Sequence, residues 1–172
     1  RVRLAMELPQ PRVALGLALR GIASAAIDLS DGLLGDLRHV LRRSGAAFHA
    51  GGEAGTSGDG PQALGAWLQE GARPRGPIVN RQPAAMQRGC LLFGGDDYEL
   101  LFTAASAQRV AVERAAQGAG VAVARIGQIV QTPGVQLLDA QSRPIALQGQ
   151  AFDHFKTSDP DGSERGRSCT PA

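Results

Sequence analysis

The sequence predicts an α+β domain, a mixed sheet with packed helices. Apolar residues recur at helical spacing in several segments, short strand-like runs lie between them, and Gly or Pro marks the junctions. At 172 residues with 43% hydrophobic content, the chain is long enough for one domain with a core of its own.

In order, Val13 to Leu19 reads as a helix and Ser24 to Asp28 as a buried strand. Asp31 to Arg43 follows as a helix whose oily face is Leu33, Leu34, Leu37, Val40 and Leu41. Ala46 to His49 reads as a short strand, and Gly51 to Gly60, rich in glycine and small polar residues, as a mobile loop. Pro61 to Glu70 is expected to form a short helix, with Trp67 as a core or interface anchor, and Gly71 to Pro77 a basic connector. Gln82 to Leu91 reads as helical, Tyr98 to Thr103 as a strand, and Ser106 to Gln117 as a helix with a Ser cap and a stop at Gly118. Val121 to Val130, Val135 to Leu138 and Ile145 to Leu147 supply further strands. Lys156 to Ala172 has almost no apolar content and is expected to be a disordered tail.

The junction between the first strand and the long helix carries the chemistry. Asp28 and Asp31 flank Ser30, and Gly32 lets another backbone approach closely. Ser30 or Asp31 can cap the helix, whose first-turn N–H groups favour an anion such as a nucleotide phosphate. Adjacent carboxylates repel each other without a cation, and Mg²⁺ takes one or two of them together with phosphate oxygens. Taken alone, capping is the simpler reading of Ser30 and Asp31.

A second block, Phe93-Gly94-Gly95-Asp96-Asp97-Tyr98-Glu99-Leu100-Leu101-Phe102, sets paired glycines and paired acids before a strand. The glycines permit positive φ and close ligand approach, although a plain Gly-Asp turn reads equally well in isolation.

Together, Ile27-Asp28-Leu29-Ser30-Asp31-Gly32-Leu33 and Gly94 to Phe102, closed by Ala151-Phe152-Asp153-His154-Phe155, resemble thiamine-monophosphate kinase, and more narrowly its C-terminal half. The likeness runs from about Pro9-Gln10-Pro11-Arg12-Val13 to Phe155 and includes Arg125 to Ile129. It is weak between Gly51 and Gln87. The resemblance implies the C-terminal domain fold of aminoimidazole ribonucleotide synthetase-like proteins over residues 1–155, and transfer of the γ-phosphoryl group of ATP to thiamine monophosphate. Carried over by position, it implies Asp28 and Asp31 as Mg²⁺ ligands, Ser30 at ATP, Asp96 (commonly Glu in relatives) at the thiamine phosphate, and Phe152 packed on its rings. It also implies a homodimer held largely through an N-terminal domain that bears the glycine-rich region and further acidic ligands. These 172 residues are therefore expected to catalyse little or nothing alone.

Residue chemistry agrees with that implication. Phosphoryl transfer needs alignment and charge neutralisation, and a phosphate acceptor is already ionised near neutral pH, so no general base is required and no catalytic side chain is assigned. A half of another synthetase of the same superfamily, or a non-catalytic binding or dimerisation module, is the alternative. Lys156 is the single lysine and no Gly-x-x-x-x-Gly-Lys-Ser/Thr run occurs, which excludes a P-loop. A net charge of +2 with scattered arginines argues against nucleic acid. Arg38, Arg42 and Arg43 read as a solvated helix face, His39 and His49 as surface or half-buried histidines, and His154 as structural. Cys90 and Cys169 suit a buried small residue and a surface thiol. No signal peptide or membrane-length apolar run is visible, so a cytoplasmic protein with no membrane partner is expected.

Overall fold

A computed structural model describes residues 8–48, 64–95 and 98–146. Helix α1 (Val13–Ala18) leads into strand β1 (Ala23–Asp28) and helix α2 (Leu33–Phe48). Strand β2 (Gly65–Gln69), helix α3 (Ala84–Phe93), strand β3 (Leu100–Ala104) and helix α4 (Arg109–Ala119) follow. Strands β4 (Gly127–Val130), β5 (Gly134–Leu138) and β6 (Pro144–Ile145) complete the order.

The strands form two sheets. β1 and β3 pair antiparallel, with Asp28 opposite Leu100. The second sheet has the order β4-β2-β5-β6, in which β2 runs antiparallel to β4 and parallel to β5, so the expected mixed α+β architecture is observed. The oily face of α2 builds the main core: Leu33, Leu34, Leu37 and Leu41 pack with Ala66 and Leu68 of β2, Leu92 of α3, Leu101 of β3 and Leu137 of β5. A second cluster joins Leu15 of α1, Leu19 and Ala116 of α4. Burial of such leucines is worth about 2 kcal/mol each, so α2 is fixed mainly by tertiary packing, not by its intrinsic propensity.

Several expectations require correction. Ala46 to Phe48 continue α2 instead of starting a strand, because extending a helix adds one hydrogen bond per residue and Ala favours it; His49 lies outside the described residues. The helix expected over Pro61 to Glu70 is replaced at 65–69 by strand β2, where burial of Ala66 and Leu68 alternates with Trp67 at 37% exposure. Pairing on both edges overrides local preference there, and Trp67 is accordingly not a core anchor. A Cβ on Gly65 would stand 2.0 Å from the Thr132 carbonyl oxygen, so the close approach requires glycine.

Helix α4 runs through Gly118 and stops at Gly120, which takes the left-handed conformation (φ 65°) while the Val121 N–H donates to Ala116 O at 3.0 Å. Ser106 opens a 3-10 turn with no side-chain cap bond. Of the strand expected over Val121 to Val130, only Gly127 onward forms. Val121 and Val123 pack on the second cluster and Ile126 on the first, so this segment crosses between cores. β1 alternates between half-buried and exposed positions and is not buried throughout. Cys90 is exposed on α3, not buried. Arg38, His39, Arg42 and Arg43 are exposed as expected. The loop 51–60, Leu147, Phe152, His154, Cys169 and the tail 156–172 lie outside the described residues. Among the described residues, no helix is long and apolar enough to cross a membrane.

The β5–β6 turn is closed by Asp139, whose carboxylate accepts the N–H groups of Gln141 (2.8 Å) and Arg143 (2.9 Å) and the Arg143 Nε–H (2.8 Å). The Arg143 backbone N–H, followed by its guanidinium and the Gln141 N–H, holds the Asp139 carboxyl below the ordinary value. A depressed carboxyl stabilises the fold above its unfolded pKa of about 3.9, and that contribution is lost as pH falls through the folded value. Carboxyl NMR is expected to place the Asp139 midpoint below that of a model peptide, and Asp139→Asn should remove this pH dependence from the protection of the turn amides.

Candidate active site

The two acid-bearing blocks are hydrogen-bonded to each other. Beyond the end of β1 the ladder continues: the Leu29 N–H donates to Glu99 O and the Tyr98 N–H to Leu29 O, both at 2.8 Å. Asp28 ends β1 with its side chain exposed at a depression of about 300 Å³ lined by Pro9, Arg12, Tyr98 and Glu99. Arg12 grips Glu99 with two prongs, Nη2 to Oε1 at 2.6 Å and Nε to Oε2 at 2.9 Å, which ties the chain's opening segment to the second block. The Glu99 carboxylate raises the Arg12 pKa, and since the pair is solvent-exposed it adds at most about 1 kcal/mol.

Closer still is the contact between the glycines and the Ser30–Gly32 loop. A Cβ on Gly95 would lie 2.4 Å from the Ser30 carbonyl oxygen, and one on Gly32 would lie 2.9 Å from the Phe93 carbonyl carbon. Gly32 also has φ +100°. Gly94 and Gly95 do not adopt positive φ, contrary to one reason suggested by the sequence; Gly95 is required for space. Positive φ falls instead on Tyr98 (49°), a strained value for a bulky residue, at the bend into β3.

The N-cap position of α2 belongs to neither Ser30 nor Asp31. Gly32 occupies that position, accepting the Asp36 N–H at 3.1 Å. Asp36, at 2% exposure, turns back so that its Oδ2 accepts the N–H groups of Ser30 (3.1 Å) and Asp31 (3.2 Å). Burial raises its pKa, the two N–H donors oppose this, and the charges of Asp31 and Asp28 add to the rise. The protein's own carboxylate thus sits on the backbone N–H groups of the loop that leads into α2, two donors that the sequence leaves open to an external anion. Asp36 is the residue that sequence reasoning missed. Its signal was an acid inside the oily stripe, between Leu33 and Leu37 on the buried face.

Asp28 at the end of β1 and Ser30 and Asp31 on the loop that follows are therefore brought to one junction, whose loop lies against the Gly94–Gly95 bend. Asp96 and Phe152 lie outside the described residues. Among the described residues, no cluster of three or more metal-ligating side chains occurs. Two carboxylates alone are a hard-oxygen donor set, and this fits an ion that completes its shell with water and phosphate oxygens.

Comparison with known proteins fixes the relationship. Over 151 residues, the chain is 35% identical to thiamine-monophosphate kinase of Salmonella typhimurium, a match spanning 87% of this chain and 41% of that protein. The chain is homologous to thiamine-monophosphate kinase. It spans about two fifths of the length of such curated relatives. The crystal structure of thiamine-monophosphate kinase from Stenotrophomonas maltophilia is similar with a TM-score of 0.64 and 38% identity, over 78% of this chain and 37% of that one. AaThiL, solved in complex with AMPPCP and TMP, shares the fold at 20% identity and a TM-score of 0.59, over 88% of this chain and 40% of that one. No family model matches the chain.

Proposed function

We propose that the chain is the C-terminal part of an ATP-dependent kinase that phosphorylates thiamine monophosphate to thiamine diphosphate. The observation that carries this is the backbone contact of Gly95 with Ser30, which joins the two acid-bearing blocks into one surface. Support also comes from homology to thiamine-monophosphate kinase and from the AMPPCP and TMP bound by a protein of the same fold. Asp28 and Asp31 hold Mg²⁺, Ser30 contacts ATP, Asp96 contacts the thiamine phosphate and Phe152 packs on its rings. When bound, the ion supplies neutralisation of the charge that builds up as one phosphate meets another. The chain's own contribution is alignment: Asp36 holds the Ser30–Asp31 backbone, Gly95 and Gly32 allow the second block to close on it, and the Arg12–Glu99 pair clamps the adjacent strand. An N-terminal domain completes the site and the homodimer contact.

Calorimetry of the chain with ATP tests the reading. Binding is expected to require Mg²⁺ and to weaken at least about tenfold, or roughly 1.4 kcal/mol, in Asp28→Ala and in Asp31→Ala. Nucleotide binding that ignores both the metal and these substitutions would overturn it, as would rapid turnover by a chain lacking both aspartates.

A further inference from the structure

A cluster of arginines beyond the end of β2 is only partly paired within the fold and has no part in the proposed phosphoryl transfer. Arg73 follows a 3-10 turn at Glu70–Ala72 and is only 4% exposed. Its Nε donates weakly to Glu70 O at 3.4 Å, but Nη1 and Nη2 are both buried and meet no acceptor among the described residues. Arg75 donates Nη2 to the same carbonyl at 2.8 Å, and its Nε is also buried without an acceptor. The nearby carboxylate of Glu70 is engaged by Arg88 of α3 at 3.3 Å. Three guanidiniums thus share one acid. Burial opposes the Arg73 charge, Glu70 favours it, and Arg75 and Arg88 repel it. A guanidinium cannot shed its proton at accessible pH, so an anion is the partner that offsets both its charge and its free N–H groups.

The unpaired Nη1–Nη2 edge is the one that takes two oxygens of a phosphate or carboxylate at once. Arg73 lines a cavity of about 1150 Å³, with Leu68, Leu91, Leu101 and Ile126 among its walls. We infer that Arg73 and Arg75 form an anion-binding site for a phosphate group, distinct in its ligating residues from Asp28 and Asp31, although Leu29 between those aspartates also lines the cavity. The group comes either from free phosphate or from a phosphate ester whose apolar body occupies the cavity.

The test titrates inorganic phosphate and phenyl phosphate into the full chain in metal-free buffer containing a chelator, followed by calorimetry and thermal melting. Saturable millimolar or tighter binding is expected, retained in Asp28→Ala and weakened at least about tenfold in Arg73→Met. Tighter binding of phenyl phosphate than of phosphate assigns the ester as the source, and equal binding assigns the free ion. Without phosphate, Arg73→Met should melt at or above the wild-type temperature, because a buried unpaired charge has been removed. Arg73→Lys retains the charge without the two-pronged edge, and it should bind several-fold more weakly than wild type while remaining folded. No binding of either probe to wild type, or binding unchanged in both Arg73 variants, overturns the inference. Melting of Arg73→Met well below wild type in phosphate-free buffer would make Arg73 a structural residue and overturn it as well.

Discussion

Gly95→Ala is expected to cost the fold about 3 kcal/mol, near the upper end for forcing atoms into a packed site. The added methyl would stand 2.4 Å from the Ser30 carbonyl oxygen and 3.5 Å from its carbon. Both are backbone atoms, so no rotamer change relieves the clash. Either the Gly94–Gly95 bend or the Ser30–Gly32 loop must move, and the loop is held by Asp36 on one side and by the β1–β3 ladder on the other. For a chain of this length the melting temperature should fall by roughly 6–12 °C. Mg²⁺-dependent nucleotide binding should weaken with it, because Ser30 and Asp31 share the displaced segment. Gly118→Ala provides the control. That glycine lies inside α4 with nothing within 4 Å of a Cβ, and the substitution should stabilise by about 0.5–1 kcal/mol. Chemical denaturation of both variants decides the matter, and a Gly95→Ala chain as stable as wild type would show that the two blocks are not in contact.

The contact could be anticipated in part because both of its halves carry local signals. Leu33, Leu34, Leu37 and Leu41 repeat at 3.6-residue spacing, and the same residues form the core under α2. Asp28 at a strand end and Gly32 at a tight junction follow from the change of period between β1 and α2. What the sequence did not reveal depends on partners distant in the chain. β2 is a strand because Gly127–Val130 and Gly134–Leu138 pair on its two edges, and nothing within Pro61 to Glu70 announces those neighbours. Likewise, Val121 to Ile126 has a strand's composition, yet its side chains are divided between two cores. Cys90 sits next to an apolar run, but on α3 it points away from buried Leu92. Asp36 is not legible in a helical stripe defined by its apolar members, because the informative residue is the polar one among them. Of the two reasons the sequence offers for glycine at position 95, positive φ does not hold and close approach does, although what comes close is the Ser30 carbonyl oxygen of the protein itself.

Asp36→Ala separates the holding of the loop from the charge that holds it. Removing the carboxylate leaves the N–H groups of Ser30 and Asp31 without their acceptor in a part-buried loop, a loss of about 2–4 kcal/mol once relief of the buried charge is included. Asp36→Asn behaves differently. Its amide oxygen can still accept both N–H groups, while the burial penalty and the repulsion from Asp31 and Asp28 disappear, so its stability near neutral pH should stay close to wild type. The pH dependence follows from the direction of the shift. A carboxyl whose folded pKa is raised contributes most below its unfolded value of about 3.9, and that contribution is lost as pH rises through the folded value. In metal-free buffer, the stability of wild type minus that of Asp36→Asn should therefore decline from pH 4 upward and then level off. Denaturant midpoints of the three chains across that range measure it. If Asp36→Asn is as damaged as Asp36→Ala, ionisation itself is required to hold the loop; if neither variant is affected, the Asp36 hydrogen bonds do not position Ser30 and Asp31.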